Sequence, residues 1–199
     1  MITGIRGRII EKNPAFVVIE TTGGIDYLVN ISLATYTKIR EMEEVRLFTH
    51  YVIKEDEHQL FGFFDEEERS IFRLLITVNG IGVNTARLIL SSMSVRELQN
   101  AIVTENAKVL QAIKGIGGKT AQRLIIELKD KIGKLSLAAT TETEKKQFSN
   151  NNNANAALSA LVSLGFPKNA ADAVLEKIIK TEGLDLSIED LIKKALKLL

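Results

Sequence analysis

Apolar and polar residues follow two rhythms along this chain. Over the first 63 residues the apolar side chains fall in short β-branched or aromatic runs: Ile2–Ile10, Phe16–Ile19, Ile25–Ile31, Val45–Ile53 and Gln59–Phe63. Turn formers part them at Asn13-Pro14, Thr22-Gly23-Gly24 and Glu55-Asp56-Glu57. Five strands so closely spaced predict a small closed barrel, for which the OB-fold is the commonest solution and an SH3-like barrel the competitor. A short helix or turn over Leu33–Arg40 fits between the third and fourth strands. At Asp65 the rhythm changes. Asp65-Glu66-Glu67-Glu68 reads as a helix start, and Ile71, Leu74, Leu75 and Val78 form a stripe of helical period. Further helices are predicted over about 84–92, 95–103, 106–113 and 119–134, with Ser94-Val95-Arg96-Glu97 as a capping box. Ala121, Leu124, Ile125, Leu128 and Ile132 share one face of the last.

From about residue 136 the pattern fades. Thr140-Thr141-Glu142-Thr143-Glu144-Lys145-Lys146, Ser149 and the run Asn150–Asn153 have too little apolar surface to offset the entropy of ordering. A flexible tether is expected there. Beyond it, Asn155–Leu164, Asn169–Thr181 and Ser187–Leu199 predict three helices, broken at Gly165-Phe166-Pro167 and at Gly183 and capped in the third by Ser187. Leu158, Leu161, Val174, Ile178, Leu191, Ile192 and Ala195 would form the inside of this bundle.

Composition narrows the chemistry. The chain has no cysteine, which removes disulfides and thiolate metal sites. Its two histidines, His50 and His58, are too few for a histidine-rich metal cluster. No metal and no cofactor is expected. No apolar run approaches the ~18 residues of a membrane span, and the opening residues lack the basic-then-apolar order of a signal segment. A cytoplasmic protein is the expectation. The net charge is only +1, but residues 64–135 carry 11 basic and 8 acidic side chains, against 7 and 9 in residues 1–63. The cationic excess is modest, so any grip on phosphate must come from local geometry.

That geometry is suggested by a repeat. Val78-Asn79-Gly80-Ile81-Gly82-Val83-Asn84-Thr85-Ala86 recurs 35 residues later as Ile113-Lys114-Gly115-Ile116-Gly117-Gly118-Lys119-Thr120-Ala121. Each copy reads as helix, Gly-Ile-Gly turn, helix. The glycines permit a tight turn and close approach of another backbone. The turn opens into a helix N-terminus, where unpaired amides and the helix dipole attract an anion. Ile81 and Ile116 would plug the turn between the helices, Thr85 and Thr120 can donate hydroxyls, and Lys119 adds a charge. Contacts of this kind hold a sugar-phosphate backbone without reading bases. A bare inter-helix turn is the plain alternative for one copy, and two copies in register argue against it. A nucleotide-binding loop is rejected, because Gly-x-x-x-x-Gly-Lys-Ser/Thr is lacking and no strand precedes either turn.

The fold class is therefore α+β and multidomain. It comprises a β-barrel (1–64), an OB-fold with the SH3-like barrel as its competitor, an all-α tandem helix-hairpin-helix domain (65–142), a flexible linker (143–153) and a C-terminal three-helix bundle (154–199).

The chain resembles the RuvA family, the Holliday-junction-binding subunits of the bacterial RuvAB branch-migration complex, along essentially its whole length. The residues that carry the likeness are Met1-Ile2-Thr3-Gly4-Ile5-Arg6-Gly7, Thr49-His50-Tyr51-Val52, Glu55-Asp56 and Gln59-Leu60-Phe61-Gly62-Phe63. Asn79-Gly80-Ile81-Gly82, Gly115-Ile116-Gly117, Lys119-Thr120-Ala121, Arg123-Leu124-Ile125 and Ala160-Leu161-Val162-Ser163-Leu164-Gly165-Phe166 extend it. The resemblance implies a homotetramer on an open four-way junction, with a second tetramer covering the opposite face. It implies a hexameric RuvB-type ATPase that binds the C-terminal bundle and supplies the chemistry, and a junction-resolving endonuclease as a further partner. DNA contacts would come from Asn79, Gly80, Ile81, Gly82, Asn84 and Thr85, and from Lys114, Gly115, Ile116, Gly117, Gly118, Lys119, Thr120 and Arg123. Glu55 and Asp56 would form an acidic pin whose carboxylates repel phosphate and disfavour simple duplex, with Glu57 adding charge and Lys54 offsetting it. Leu161, Leu164 and Phe166 are candidates for the apolar patch that docks the motor; core packing is the alternative at Leu161, and Phe166 the better candidate for exposure. The first hairpin has Val83-Asn84 where relatives often carry a lysine, and Arg123 could compensate or be an ordinary surface residue.

Rival functions fare worse. A glycosylase would want a catalytic aspartate on a structured element beyond a hairpin, but the acids there are Glu97, inside a capping box, and Glu127 and Asp130, just before the tether. A nuclease would need convergent carboxylates, and Glu55, Asp56 and Glu57 are adjacent on one turn. No intrinsic catalysis is expected. A generic duplex or single-strand DNA adaptor remains the alternative, although the barrel is poor in the aromatics and positive charge that single strands usually require.

Overall fold

The computed structural model describes residues 1–140, 149–182 and 186–199, with side chains outside 133–152 and 182–185. The chain divides into two compact units, Met1–Leu135 and Ser136–Leu199.

In the first unit, strands β1 (Gly4–Lys12), β2 (Phe16–Glu20), β3 (Asp26–Ile31), β4 (Glu44–Ile53) and β5 (His58–Phe63) close a barrel in the order β1-β2-β3-β5-β4. Helix α1 (Leu33–Ile39) lies between β3 and β4 in sequence. The β3–β5 pair is parallel and the other pairs are antiparallel. Alternation drives closure. Val17 and Ile19 of β2, Val29 and Ile31 of β3, and Leu47 of β4 all turn inward with Ile39 of α1. β1 pairs with both β2 and β4, and an irregularity between Ile9 and Glu11 turns the side chain of Ile10 outward.

Strand β5 explains why the change of rhythm at residue 65 is not a gap in packing. Its last four residues, Leu60-Phe61-Gly62-Phe63, are all buried. Leu60 faces the barrel core, whereas Phe61 and Phe63 enter the helical core. There they meet Phe72 of α2 (Glu66–Leu75), with ring centroids 5.3 and 4.8 Å apart. Burying such a ring is worth about 1.5–3 kcal/mol, so a strand of the barrel is fastened into the helical core.

A polar joint reinforces it. The Glu68 carboxylate of α2 accepts hydrogen bonds from the Ser32 hydroxyl and from Thr35 Oγ1, the latter at 2.8 Å. Ser32 also caps α1 by accepting from Thr35 N, and Thr35 Oγ1 accepts from Phe64 N at 3.1 Å. Asp65, expected to cap α2, makes no side-chain capping bond; its carboxylate pairs instead with Lys38 of α1.

Helices α3 (Val83–Ser92), α4 (Val95–Val103), α5 (Ala107–Gln111) and α6 (Gly118–Thr140) complete the unit. The Ser94–Glu97 capping box at the start of α4 is formed on both sides. Ala121, Leu124, Ile125, Leu128 and Ile132 of α6 are all buried, as their spacing predicts.

The second unit contains α7 (Ser149–Ser163), α8 (Lys168–Glu182) and α9 (Ile188–Ala195). Small residues let its helices approach closely: Ala157, Ala171 and Ala195 are buried beside Leu161, Leu175, Ile178 and Leu191. Leu158, Val174 and Ile192, expected inside, are only partly buried against this core. The linker expectation is narrowed from both sides. α6 runs to Thr140, and α7 begins at Ser149, so Asn150–Asn153 are helical where a tether is expected. One asparagine has a reason to be ordered, since Asn153 Nδ2 donates to the Leu186 carbonyl at 3.1 Å. Residues 143–148 of the linker, and the helix break at Gly183, lie outside the described residues.

Candidate nucleic-acid interface

The two glycine turns repeat in structure as they do in sequence. In the first, Ile81 N donates to Val78 O at 3.0 Å; in the second, Ile116 N donates to Ile113 O at 3.1 Å. Gly80 and Gly115 occupy the third position of each turn with φ of 92° and 90°. That left-handed backbone at the third position marks a type II turn and calls for glycine. Ile81 and Ile116 are buried in the helical core and fix each turn to its pair of helices.

The next glycine in each copy is different. Gly82 caps α3 in an extended conformation, with φ of −82° and no side-chain hydrogen bond to the first-turn amides. Ala86 N to Gly82 O and Ala121 N to Gly117 O, both 2.9 Å, begin the two helices alike. A Cβ built on Gly82 or Gly117 would meet no atom of the protein within 4 Å. Neither turn geometry nor internal packing requires these glycines. What they leave bare is the end of a helix, with amides directed outward and the positive pole of the helix dipole behind them.

Charged groups gather around these ends. Lys114 and Lys119 are exposed and have no acidic partner among the described residues. Asn79 and Asn84 are exposed beside the first turn, while Thr85 and Thr120 are half-buried at the start of α3 and α6. Arg123 Nη1 donates to the Asn79 carbonyl at 3.3 Å, and its Nε lies 3.9 Å from Glu127. A cation rooted in the second hairpin thus reaches the turn of the first, and the two glycine turns share one neighbourhood. Arg87 of α3, passed over in reading the sequence, is half-buried and donates to Ala15 O and Asn30 Oδ1 at 3.0 and 3.1 Å.

The β4–β5 turn is closed by Lys54 N donating to Glu57 O at 2.9 Å. Glu57 is engaged from two sides: Gln59 Nε2 donates to it at 2.7 Å and Lys54 Nζ lies 3.9 Å away. Its carboxylate is therefore held within the turn, with a lysine nearby. Glu55 and Asp56 are exposed at the tip and have no partner among the described residues. Two uncompensated carboxylates thus project from the barrel.

Residues 1–62 match the RuvA N terminal domain, residues 72–130 a SAM-like helix-hairpin-helix tandem, and residues 152–199 the RuvA C-terminal domain. The chain is 47% identical over 197 residues to a protein of Christiangramia forsetii named Holliday junction branch migration complex subunit RuvA, covering 99% of both chains. Proteins of the same name from Azobacteroides pseudotrichonymphae and Cytophaga hutchinsonii are 45% and 44% identical, with all of each chain covered. The chain belongs to the RuvA family.

Within the RuvA C-terminal domain, the three apolar residues singled out from sequence part company. Leu161 is wholly buried in the bundle core, so it cannot form part of an exposed patch; the helical spacing that puts it beside Leu158 directs it inward. Phe166, the favoured candidate for exposure, is half-buried and packs against the same core. Its amide donates to Leu161 O at 3.1 Å across a turn that bends at Gly165, where φ is 99°. Leu164 is the exposed one, at 61%, with Val162 at 43% beside it. Among the described residues no helix is long and apolar enough to cross a membrane.

Proposed function

We propose that this chain binds four-way (Holliday) junction DNA as the non-catalytic subunit of a branch-migration complex in homologous recombination and DNA repair. Its partner is a hexameric RuvB-type ATPase recruited through the C-terminal bundle, with Leu164 as the exposed apolar contact. In this reading four copies surround one junction in the cytoplasm, a second tetramer covers the opposite face, and a junction-resolving endonuclease acts on the same substrate.

One observation carries the DNA contact: Gly82 and Gly117 are glycines for which the protein itself has no need. A side chain there would stand between the bare helix ends and any approaching backbone. Asn79, Gly80, Asn84 and Thr85 in the first copy would line one phosphate cradle, and Lys114, Gly115, Gly118, Lys119 and Thr120 the other. Ile81 and Ile116 act from below, by holding the turns. Arg123 bridges the two. Amides and cations of this kind position a duplex arm without choosing its sequence. Glu55 and Asp56 supply the discrimination, because exposed carboxylates penalise a continuous phosphate backbone laid across the barrel and tolerate the open centre of a junction.

The test is competition in a gel shift between a synthetic four-way junction, matched linear duplex and single strand. The junction should win by at least about tenfold, equivalent to 1.4 kcal/mol. Gly117→Val should keep native circular dichroism and lose junction binding. Equal affinity for the three DNAs would sink the junction reading, and a fully active Gly117→Val would sink the cradle.

A further inference from the structure

The 35-residue repeat relates Asn84 to Lys119 and Arg87 to Gln122. The two copies have thus exchanged positions. The second hairpin carries its cation two residues past the second glycine and a neutral amide three residues later. The first carries the amide early and the cation one helical turn further on. Residues three apart share a face of a helix, and a helical side chain leans back over the turn N-terminal to its own Cα. Arg87 and Asn84 accordingly line one groove beside α3.

Its surroundings are those of a cation held ready for an anion. Both acceptors on Nη1, the Ala15 carbonyl and Asn30 Oδ1, are neutral. Asn30 is itself oriented by donating Nδ2 to Leu60 O at 3.4 Å. Burial pushes the Arg87 guanidinium below its usual value, and no carboxylate acts in the opposite direction. The group remains charged, since arginine is not deprotonated in proteins. Beside it opens a groove of about 310 Å³ lined by Arg87, Asn84, Ser91 and Pro14. Nη2 and Nε make no hydrogen bond among the described residues.

We propose that Arg87 is the phosphate-binding cation of the first hairpin, taking the part that Lys119 plays in the second, with the β1–β2 turn at Ala15 and the side chain of Asn30 as its holders. The ligand is a backbone phosphate of a duplex arm. This rests on the reading of the hairpins as phosphate cradles and adds to it a residue outside the glycine turns. The barrel thereby positions a DNA contact as well as carrying the acidic turn.

The experiment is a salt titration of four-way-junction affinity with the full chain. Removing one ionic grip on phosphate should reduce the slope of log affinity against log salt by about 0.9. Arg87→Gln is expected to weaken binding on the order of tenfold and to flatten the slope by about one such unit. Lys119→Gln, the benchmark, should do the same. In the Arg87→Gln chain, Asn84→Lys should restore the slope by supplying the charge where the second copy has it. Asn84→Lys in the otherwise unchanged chain should steepen it by less than roughly half a unit, because the phosphate is already held. That last variant keeps the question open to measurement if Arg87→Gln does not fold. A flat response to Arg87→Gln beside a normal response to Lys119→Gln would overturn the assignment and leave the cradles standing. No response to either would sink the cradles themselves. Weaker binding with an unchanged slope, or a full added unit from Asn84→Lys alone, would reduce Arg87 to a tie between α3 and the barrel.

Discussion

At the scale of single residues, function and stability rest on a few positions whose surroundings contradict their ordinary preferences. Glu68 is the clearest. A carboxylate in the interior costs free energy unless it is hydrogen-bonded, and here two hydroxyls that also cap α1 and hold the Phe64 amide just beyond β5 are turned toward it. Removing it leaves Ser32 and Thr35 as donors without their acceptor. Glu68→Ala should cost about 2–3 kcal/mol in mildly acid solution. Burial raises the carboxyl above its usual range, against the lowering effect of the Ser32 and Thr35 hydrogen bonds. A raised value means the folded chain holds the proton more tightly than the unfolded chain. The contribution is therefore complete below the ordinary carboxylate value and is lost as pH rises through the raised one. Urea midpoints of the wild-type chain and Glu68→Ala should converge as pH rises from about 4 toward neutrality. A gap that widens over that interval would contradict the assignment.

At the scale of elements, the structure uses one device twice and another once. Each glycine turn joins two helices by the same hydrogen bond, with a buried isoleucine beneath it and a bare helix end beyond it. The β4–β5 turn carries the opposite charge. Glu57 is held by Gln59 and lies near Lys54, so the repulsion proposed for the turn is assigned to Glu55 and Asp56. Neutralising both, as Glu55→Gln with Asp56→Asn, should raise affinity for linear duplex several-fold while changing junction affinity by less than about twofold. The expected repulsion is a surface effect of about 1 kcal/mol or less per charge, and it fades with salt. Competition at low and high salt checks it. An equal gain for both DNAs would mean that the turn repels phosphate without regard to architecture.

At the scale of the whole molecule, the chain forms two compact units, between which the proposed function divides the labour. The first holds both glycine turns, Arg87 and the acidic turn around two apolar cores, one inside the barrel and one among the helices; the second is a bundle with an exposed Leu164. A cut introduced between residues 141 and 148 should therefore leave junction affinity within about twofold and abolish stimulation of the partner ATPase. Gel shift and ATPase assay measure the two halves separately. A severed chain that still stimulates the motor would place the docking surface in the first unit.

The spacing of apolar residues was enough to read five strands, the helices and the bundle, because burial on one face imposes a period of two or of 3.6 whatever the rest of the fold does. The repeat likewise exposed the glycine turns, since its logic is local. Contacts between elements distant in the chain could not be read this way. The period that marks Leu161 as apolar does not say whether its face meets a core or a partner. Phe61 and Phe63 look like barrel residues until Phe72 is brought to them. Arg123 found its acceptor in the Asn79 carbonyl, 44 positions away, and Arg87 its acceptors in Ala15 and Asn30 on the barrel. Long-range packing chooses among partners that local pattern leaves equivalent, and here it set one arginine against the first glycine turn and another against the barrel.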